Sequence, residues 1–564
     1  MEEGTDHLRE EIIAGLQNHA ILFTTLLPGS GFDDLLPIKQ LIGDARIVAL
    51  GEATYGTHEF FLMKHRLLEF LVKEMNFNVF AIEASWAEAN LINEYVHTGK
   101  GDPTQLLAGL HFWTWNTQEV LDVILWMRAH NQTRGNASPV SFRGFDMQYS
   151  RMAIDNVITY LHDVDLEAEQ EVKMLYAPFQ QYADNEEGYN ELPLKTKSQC
   201  RSNLQCVYDL LLKHRVIYEG VSSPEMFAYA LQSARVVLQA ENVSTSNENG
   251  PRNLYMAANV SWLLEQAGSK ANIVLWAHNW HISKKGLSEE SMGVHLHKRY
   301  IDAMVTFGFS FYQGSLNAVN FELASRGMLT SHEVPPPPEE SYEHTLDALE
   351  LFLDLRNVPA GSAAADWLVG PRLCRSIGAV YAAAHPENYF HDINLPEEYD
   401  VIIHLQDITP SMLLPSVDRE KKRVIAPRKP RNLNFEAGWA GWDMMGSHPQ
   451  DYERQIEQPN ERDIAVWFAS KVDDSSGFGA FAQTIVADEY RGKQLRMAAD
   501  MKSQEVEEST GLWMRVDGPH DEVQSFDNMQ DRGITGGTDW TRYEVVLPVY
   551  ADSQKIVPVR CSPR

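Results

Sequence analysis

Residues 47–61 read IVALGEATYGTHEFF, and this stretch decides the fold of the larger part of the chain. An apolar run from Ile47 to Leu50 meets Gly51 and Glu52, and a polar turn then leads into an amphipathic segment that begins near His58. A short apolar run that ends at glycine is typical of a buried strand, whereas apolar residues spaced three and four apart are typical of a helix. The stretch therefore predicts a strand, a turn that carries ionisable side chains, and a helix.

The same alternation continues along the sequence. Further apolar runs typical of buried strands occupy residues 78–83, 140–145, 271–277, 303–311 and 399–405. Helical patterns lie between them, and the clearest is HEFFLMKHRLLEFLVKEM at residues 58–75. Continuous apolar strands that alternate with helices indicate a largely parallel sheet flanked by helices. The predicted fold class is α/β, in a domain that spans residues 1–420.

Three regions depart from this pattern. Residues 151–266 are helical and poor in strand signals, which predicts a large helical insertion. Residues 421–431 are basic and contain proline, as expected of a linker. Residues 432–564 alternate with period two between turn sequences, which predicts an antiparallel β-sandwich domain. The final residues, ADSQKIVPVRCSPR, lack that alternation, so we expect the sandwich to be incomplete at its end.

The charge and composition limit the expected partners. The chain has 564 residues, of which 44% are hydrophobic, and a formal net charge of −30. So negative a protein repels nucleic acid and anionic membranes, and neither is an expected partner. The acidic N-terminus is unlike a signal peptide, and no apolar run is long enough to span a membrane. We therefore expect a cytoplasmic location. The four cysteines form no C-x-x-C pair and indicate neither a disulfide framework nor a zinc ribbon.

The motifs of common cofactor and nucleophile sites do not occur in the sequence. These are the phosphate-binding P-loop, the glycine-rich dinucleotide loop, the H-E-x-x-H zinc motif and the G-x-S-x-G nucleophile elbow. We therefore expect no cofactor and no metal, and a small molecule as the substrate.

Polar side chains do follow four of the predicted strands at their carboxyl ends, which is where open α/β sheets bind ligands. The candidate catalytic residues at these ends are Glu52, Tyr55, His58, Glu83, His278 and His281. The candidate substrate-binding residues are Arg143, Asp146, Asn279 and, from an aromatic run before a helix, Trp113. A single glutamate after one strand would carry little information, but several converging ends with carboxylates and histidines favour a site.

This set of residues suits hydrolysis by general acid–base catalysis. A neutral histidine can take a proton from water, and a neighbouring carboxylate can orient it and stabilise its cation. Structural roles compete with this interpretation, because Glu52 could cap the next helix and His58 could be a solvated residue of its first turn. His278 and His281 have an H-x-x-H spacing, which by itself is a weak metal signal.

Taken together, these motifs resemble the erythromycin esterase family over roughly residues 10–420. The resemblance is carried by LGEATYGTHEFF, KHRLLEFLVKEMNFNVFAIEASW, FRGFDMQ, RNLYMAANVSWL and VLWAHNWHIS. It implies an α/β fold with a large helical part and metal-independent hydrolysis of ester bonds, including the lactone of macrolide antibiotics. It assigns functional positions to Glu52, Glu83, Lys64, His278 and His281, with Lys64 binding substrate where the macrolide-cleaving enzymes have arginine.

One position departs from the family pattern. The catalytic histidine of the family's G-E-x-x-H motif is replaced here by Tyr55, whose ordinary pKa near 10 leaves it protonated at neutral pH. His58 could take over as the base, His278 or His281 could do so with Tyr55 donating to an oxyanion, or the site could bind a ligand without turnover. The sequence therefore predicts a small-molecule esterase, for which a macrolide-like lactone is one substrate class, or else a non-catalytic binding protein.

The C-terminal sequence resembles a β-sandwich module of bacterial regulatory and carbohydrate-related proteins that is similar to galactose-binding sandwiches. The resemblance lies in NLNFEAGWAGWDMMGSHPQDYE and in the strands around GLWMRVDG. It implies a possible carbohydrate partner, for which Trp439, Trp442 and Trp513 are candidate stacking residues, although tryptophans of a sandwich also form its core.

Overall fold

The computed structural model describes residues 2–133, 135, 138–183, 186–190, 192–246, 250–286, 290–320, 328–347, 349–415, 429–446, 448, 451–457, 464–472, 477–518 and 522–560. The chain divides into two compact units. The first comprises residues 1–184 and 203–421, and the second comprises residues 185–202 and 422–564. Most of the predicted linker, from 421 to 428, lies outside the described residues.

The first unit is built on a large mixed sheet. The strands of this unit are β1 (Ala20–Leu22), β2 (Ile47–Leu50), β3 (Val79–Ser85), β4 (Ser141–Asp146), β5 (Ile273–Trp276), β6 (Met304–Asn320), β7 (Leu329–Val334), β8 (Leu351–Asp354), β9 (Arg372–Arg375), β10 (Val380–Tyr381), β11 (Phe390–Ile393) and β12 (Val401–Ile408). Of these, β9 and β11 form a separate two-stranded sheet. The main order is β1-β8-β12-β6-β2-β5-β3-β4, with β7 and β10 also paired to β6. The neighbours from β12 to β4 are parallel, as the apolar runs predicted.

Helices flank this sheet, and of those named below the ones within residues 185–202 belong to the second unit. They are α1 (Glu2–Gln17), α2 (Ile38–Ile42), α3 (His58–Met75), α4 (Ala89–Thr98), α5 (Pro103–Ala108), α6 (Gln118–Thr133), α7 (Arg151–Val164), α8 (Leu166–Gln180), α9 (Glu186–Asn190), α10 (Leu194–Lys213), α11 (Arg215–Val221), α12 (Pro224–Thr245), α13 (Gly250–Ala267), α14 (Asn279–Ile282), α15 (Met292–Tyr300), α16 (Tyr342–Thr345), α17 (Ala363–Leu368) and α18 (Leu395–Glu398). Short 3-10 turns occupy Ile301–Ala303 and Pro386–Tyr389. The helices α7 to α13 fill the stretch between β4 and β5 that was predicted to be helical. No helix of the described residues is both long enough and apolar enough to cross a bilayer.

The strand β2 lies near the middle of the sheet, between β5 and β6. Its four residues are all buried, because helices cover the sheet and β2 has no solvent-facing side. The apolar side chains of α3, including Phe60 and Leu67, pack into the same core as those of β2. This packing fixes the direction in which the turn after β2 leaves the sheet, and therefore where Glu52 and Tyr55 lie.

The second unit contains antiparallel sheets, as predicted. Its strands are β13 (Asp443–Gly446), β14 (Tyr452–Glu457), β15 (Ala465–Ser470), β16 (Gly479–Ala482), β17 (Ile485–Val486), β18 (Gln494–Thr510), β19 (Trp513–Asp517), β20 (Val523–Asp527), β21 (Ile534–Pro548) and β22 (Lys555–Arg560). A six-stranded sheet has the order β13-β16-β22-β19-β20 with β17 beside β22, and β18–β21 and β14–β15 form separate pairs. Side chains of the six-stranded sheet and of β18–β21 share one apolar core.

The end of the chain corrects one prediction. The segment KIVPVR, which was predicted to lack strand structure, is β22 and pairs with β16, β17 and β19 inside the six-stranded sheet. Proline lacks an N–H to donate and argues against an interior strand, which is why the pattern was misread. Pro558 still takes part, because its carbonyl accepts a hydrogen bond from the Gln483 N–H at 3.1 Å.

Candidate active site

The parallel strands bring the predicted residues together at one edge of the sheet. Glu52 follows β2, Glu83 lies within β3, Asp146 ends β4, and His278 follows β5. The turn after β2 passes very close to α14, because the Asn279 N–H donates to the Glu52 carbonyl at 2.9 Å. A Cβ on Gly51 would lie only 2.1 Å from Asn279 Oδ1, so this approach requires glycine.

The Glu83 carboxylate is the centre of the site. It accepts hydrogen bonds from the Tyr55 hydroxyl at 3.0 Å, from Arg252 Nη2 at 2.8 Å and from the His278 backbone N–H at 3.1 Å. His281 Nε2 lies 3.2 Å from the same carboxylate. Burial alone would raise the pKa of Glu83, but His281, Arg252 and the His278 N–H together hold that pKa well below its usual range. Glu83 is therefore an anion that organises its neighbours.

Arg252 of α13 joins Glu83 to a second carboxylate. Its Nε and Nη2 atoms donate to the two oxygens of fully buried Asp146 at 3.2 and 2.7 Å, in a bidentate pair. Burial would lower the pKa of Arg252, but Asp146 and Glu83 raise it above its ordinary value. Arg252 was not among the predicted site residues, although it opens the motif RNLYMAANVSWL.

A second, fully buried ion pair lies beneath the turn after β2. Lys64 Nζ donates to Glu52 Oε2 at 2.7 Å, and the Trp276 indole N–H donates to the same oxygen at 3.0 Å. Burial raises the pKa of Glu52 to about 7 despite Lys64, and burial lowers the pKa of Lys64 to about 8 despite Glu52. The Oε1 atom of Glu52 has no hydrogen-bond partner among the described residues. The two glutamates therefore differ, since Glu52 can hold a proton near neutral pH and Glu83 does not.

The two histidines of the H-x-x-H motif have different surroundings. His278 caps α14, with Nδ1 accepting from the Trp280 N–H at 3.3 Å and Nε2 donating to the Ile377 carbonyl at 3.1 Å. Burial lowers the pKa of His278 to about 4, with a further contribution from His281. Both ring nitrogens of His278 are thus engaged by the backbone.

His281 has a ring nitrogen available for proton transfer. Its Nδ1 lies 2.8 Å from Asn253 Oδ1, and an Nδ1–H that donates to this oxygen leaves Nε2 unprotonated. In that state Nε2 accepts from Arg252 Nη1 at 3.3 Å, and once protonated it faces the Glu83 carboxylate. The side chain of His281 is 13% exposed. This nitrogen can therefore gain and lose a proton with a partner for each state.

Tyr55 and His58 have separate partners. The Tyr55 ring lies 5.0 Å from the His278 ring and 5.8 Å from that of Trp115, and burial followed by Glu83 raises its pKa well above 10. The phenol is therefore a proton donor. His58 instead pairs with Glu119 of α6, through Nδ1 at 2.5 Å, and this hydrogen bond raises the pKa of His58.

Three predicted substrate-binding residues, Arg143, Asn279 and Trp113, are not among the hydrogen-bond partners of the Glu83 carboxylate described above. Arg143 donates to Asn90 at 2.8 Å, and both polar atoms of the Asn279 side chain bond to the Phe309 backbone. Trp113 is half-buried, and its neighbour Trp115 is the indole that reaches the site by donating to the Glu83 carbonyl at 2.7 Å. Within the described part of the chain, no group of three or more histidine, cysteine, aspartate or glutamate side chains is arranged to hold a metal ion.

Comparison with known proteins gives one family match and several relatives. The family model of erythromycin esterase matches residues 72–408. Erythromycin esterase type II of Escherichia coli is 24% identical over 369 residues, which is 59% of this chain and 86% of that protein. The putative hydrolase YbfO of Bacillus subtilis is 24% identical over 413 residues, 68% of this chain and 88% of its own length. The uncharacterised HTH-type transcriptional regulator YbfP of Bacillus subtilis is 39% identical over 125 residues, 22% of this chain and 42% of that protein.

Solved structures of other proteins share the fold. A protein described as a succinoglycan biosynthesis protein superposes with a TM-score of 0.63 at 27% identity, over 72% of this chain and 99% of that one. A mutant of the erythromycin esterase EreC in its open conformation superposes with a TM-score of 0.56 at 18% identity, over 70% of this chain and 98% of that one. At 18% identity, the likeness to EreC supports the fold alone.

Proposed function

We propose that this chain, which belongs to the erythromycin esterase family, hydrolyses an ester bond in a small organic molecule. Family membership supports a hydrolase-type function, and the substrate class and mechanism are our proposal. The observation that carries the proposal is the position of His281 Nε2, which lies between the Arg252 guanidinium and the Glu83 carboxylate on a partly exposed side chain. A macrolide-like lactone is one candidate substrate, since the family includes macrolide-cleaving enzymes.

In the proposed reaction His281 acts as the general base. Its Nε2 takes a proton from a water molecule, and the water oxygen forms a bond to the ester carbonyl carbon. The imidazolium that results faces ionised Glu83 at 3.2 Å, which lowers the free energy of that state. The tetrahedral intermediate then expels the alkoxide, which receives the proton back from Nε2, and an acid and an alcohol are released.

Tyr55 has the complementary role of a hydrogen-bond donor. A phenol with a raised pKa keeps its proton at neutral pH and cannot act as a base. In the resting site its hydroxyl donates to Glu83, and with substrate bound it is placed to donate to the carbonyl oxygen that gains negative charge. This arrangement differs from the family pattern, in which a histidine occupies the position of Tyr55.

The test is turnover by the full chain with a panel of simple esters and macrolide lactones, with the products identified by mass spectrometry. We expect His281→Asn to lower kcat/KM by about 100-fold or more, the range typical of a lost general base. The acidic limb of the pH–rate profile should also disappear in that variant. The matched control is His385→Asn, which removes a histidine that is 64% exposed and paired with Glu387. Unchanged kcat/KM in His281→Asn would contradict the assignment.

A second function is favoured by one observation. Tyr55 occupies the family's histidine position and its hydroxyl is held on Glu83, which suits a protein that binds a small molecule without hydrolysing it. In that case a ligand from the same panel raises the thermal unfolding temperature while no product forms. Product formation by the unmodified chain decides for the esterase.

A further inference from the structure

The six-stranded sheet of the second unit has an apolar outer face. Alternate residues of β19 point to opposite sides of the sheet, and fully buried Met514 and Val516 belong to the core shared with β18–β21. Trp513 and Arg515 therefore point to the other side. Phe526 of β20 is the cross-strand partner of Arg515, so it lies on that side as well. An antiparallel sheet normally presents polar side chains on the face away from its core. Trp513 packs on this face against buried Ala480, Ala482 and Val557, whereas the Phe526 ring is exposed and calls for an explanation.

A cleft of about 330 Å³ lies on this outer face. Its apolar wall includes Trp513 and Phe526, whose rings meet edge to face at 5.8 Å. The Phe526 side chain is 50% exposed and Val523 is 51% exposed, so the wall is open to solvent. The lining also includes the polar side chains of Ser509, at the end of β18, and of Asn528 and Gln530, which follow β20. A concave site with apolar walls and a few polar groups is the usual form of a small-molecule site.

A cationic side chain, Arg515, also lines the cleft. Its Nε atom lies 3.0 Å from Asp517 Oδ1 but makes no hydrogen bond among the described residues, although it is buried. Fully buried Asp517 is also paired with Lys555 Nζ at 3.1 Å. Two cations thus share one carboxylate. The Arg515 side chain is 37% exposed, so its remaining N–H groups keep the capacity to bind another anion.

We propose that this cleft binds a saccharide that carries a carboxylate, such as a uronic acid. The aromatic wall suits the C–H face of a sugar ring, and the amide and hydroxyl side chains suit its hydroxyl groups. The guanidinium suits the carboxylate, with which it can form a bidentate pair. A wholly apolar ligand would leave Arg515 and the polar lining desolvated without partners, which disfavours that class. The site is independent of the esterase site and does not rest on the proposed function.

The test uses the full chain in isothermal titration calorimetry, with a galacturonic acid trisaccharide and the neutral galactose trisaccharide of the same linkage as probes, neither of which contains an ester. We expect the acid to bind, and the neutral trisaccharide to bind at least tenfold more weakly because it lacks the charge that Arg515 recognises. Phe526→Ala and Arg515→Met should each raise the Kd of the acid at least tenfold.

Matched controls lie on the β18–β21 pair of the same unit. Trp540→Ala removes an aromatic side chain that is 58% exposed, and Arg542→Met removes an arginine that is 64% exposed and paired with Asp500. Both should leave the Kd unchanged, and circular dichroism checks that every variant is folded. Three results would each overturn the proposal: no binding of the acid, equal binding of the neutral trisaccharide, or undiminished binding by both cleft variants.

Discussion

Tyr55 is the residue at which the sequence and the family pattern disagree most. A histidine at this position would titrate near neutral pH, whereas the buried phenol next to Glu83 stays protonated. We expect Tyr55→His to raise kcat/KM for esters about tenfold or more, because it adds a second base in contact with Glu83. The measurement is steady-state hydrolysis of the best ester from the panel. Tyr55→Phe, which removes the hydroxyl without adding a base, is the control, and equal rates in the two variants would refute the expectation.

Arg252 donates hydrogen bonds to two buried carboxylates, those of Glu83 and Asp146. We expect Arg252→Met to lower the free energy of unfolding by about 3–5 kcal/mol at pH 7.5, the usual effect of removing one partner from a buried ion pair. The comparison is urea unfolding of the variant, the parent chain and Arg299→Met, which removes an arginine that is 54% exposed and paired with Glu265. A loss no larger than that of Arg299→Met would show that Arg252 has no such role.

The same variant has a defined pH dependence. The pKa of Glu83 is depressed in the folded chain, so its ionisation stabilises the fold above pH 4.5, and this contribution is lost as the pH falls further. Without Arg252 the pKa of Glu83 rises and the contribution shrinks. The stability difference between Arg252→Met and the parent should therefore be largest near neutral pH and should narrow towards pH 4.

Single residues show what the sequence could and could not predict of the site. Glu52, Glu83 and His281 were predicted because each lies at or just after the carboxyl end of a strand, and parallel strands bring those ends together. Arg252 was not predicted, since it lies at the start of a helix more than a hundred residues from Asp146, and no local pattern links the two. The pairing of His58 with Glu119 likewise depends on how α3 and α6 pack, which the spacing of His58 from Tyr55 does not reveal.

At the scale of elements, the turn between β2 and α3 depends on one glycine. We expect Gly51→Ala to lower the free energy of unfolding by about 1–3 kcal/mol, as overpacking usually does, because its Cβ would meet Asn279 Oδ1 while that oxygen is held by the Phe309 N–H. Gly220→Ala in α11 is the matched control. Its Cβ would enter open space in a helix, and alanine should stabilise that helix by about 0.5–1 kcal/mol. Thermal unfolding measures both, and equal shifts would contradict the close approach of α14.

The elements that the sequence predicted well are those whose burial leaves a direct pattern. The strands β2 and β5 are buried on both sides and their side chains are apolar without interruption, and β3 is apolar up to Glu83. The strand β22 was missed because Pro558 interrupts its short apolar run, and its place inside the sheet comes from pairing with β16, β17 and β19. Pairing between distant segments is a tertiary effect that a local pattern does not report.

At the scale of the whole molecule, the net charge of −30 should affect which esters react fastest. A negative field raises the local concentration of cations and lowers that of anions, and the effect is screened by salt. The Debye length falls from about 30 Å at 0.01 M salt to about 3 Å at 1 M. A choline ester should therefore have a higher kcat/KM than its neutral isostere, the 3,3-dimethylbutyl ester, at low salt, and the two values should converge at 1 M. The measurement is the ratio of the two kcat/KM values across that range of salt. A ratio that does not change with salt would show that the site is insulated from the field of the chain, and that contacts within the site alone decide the preference.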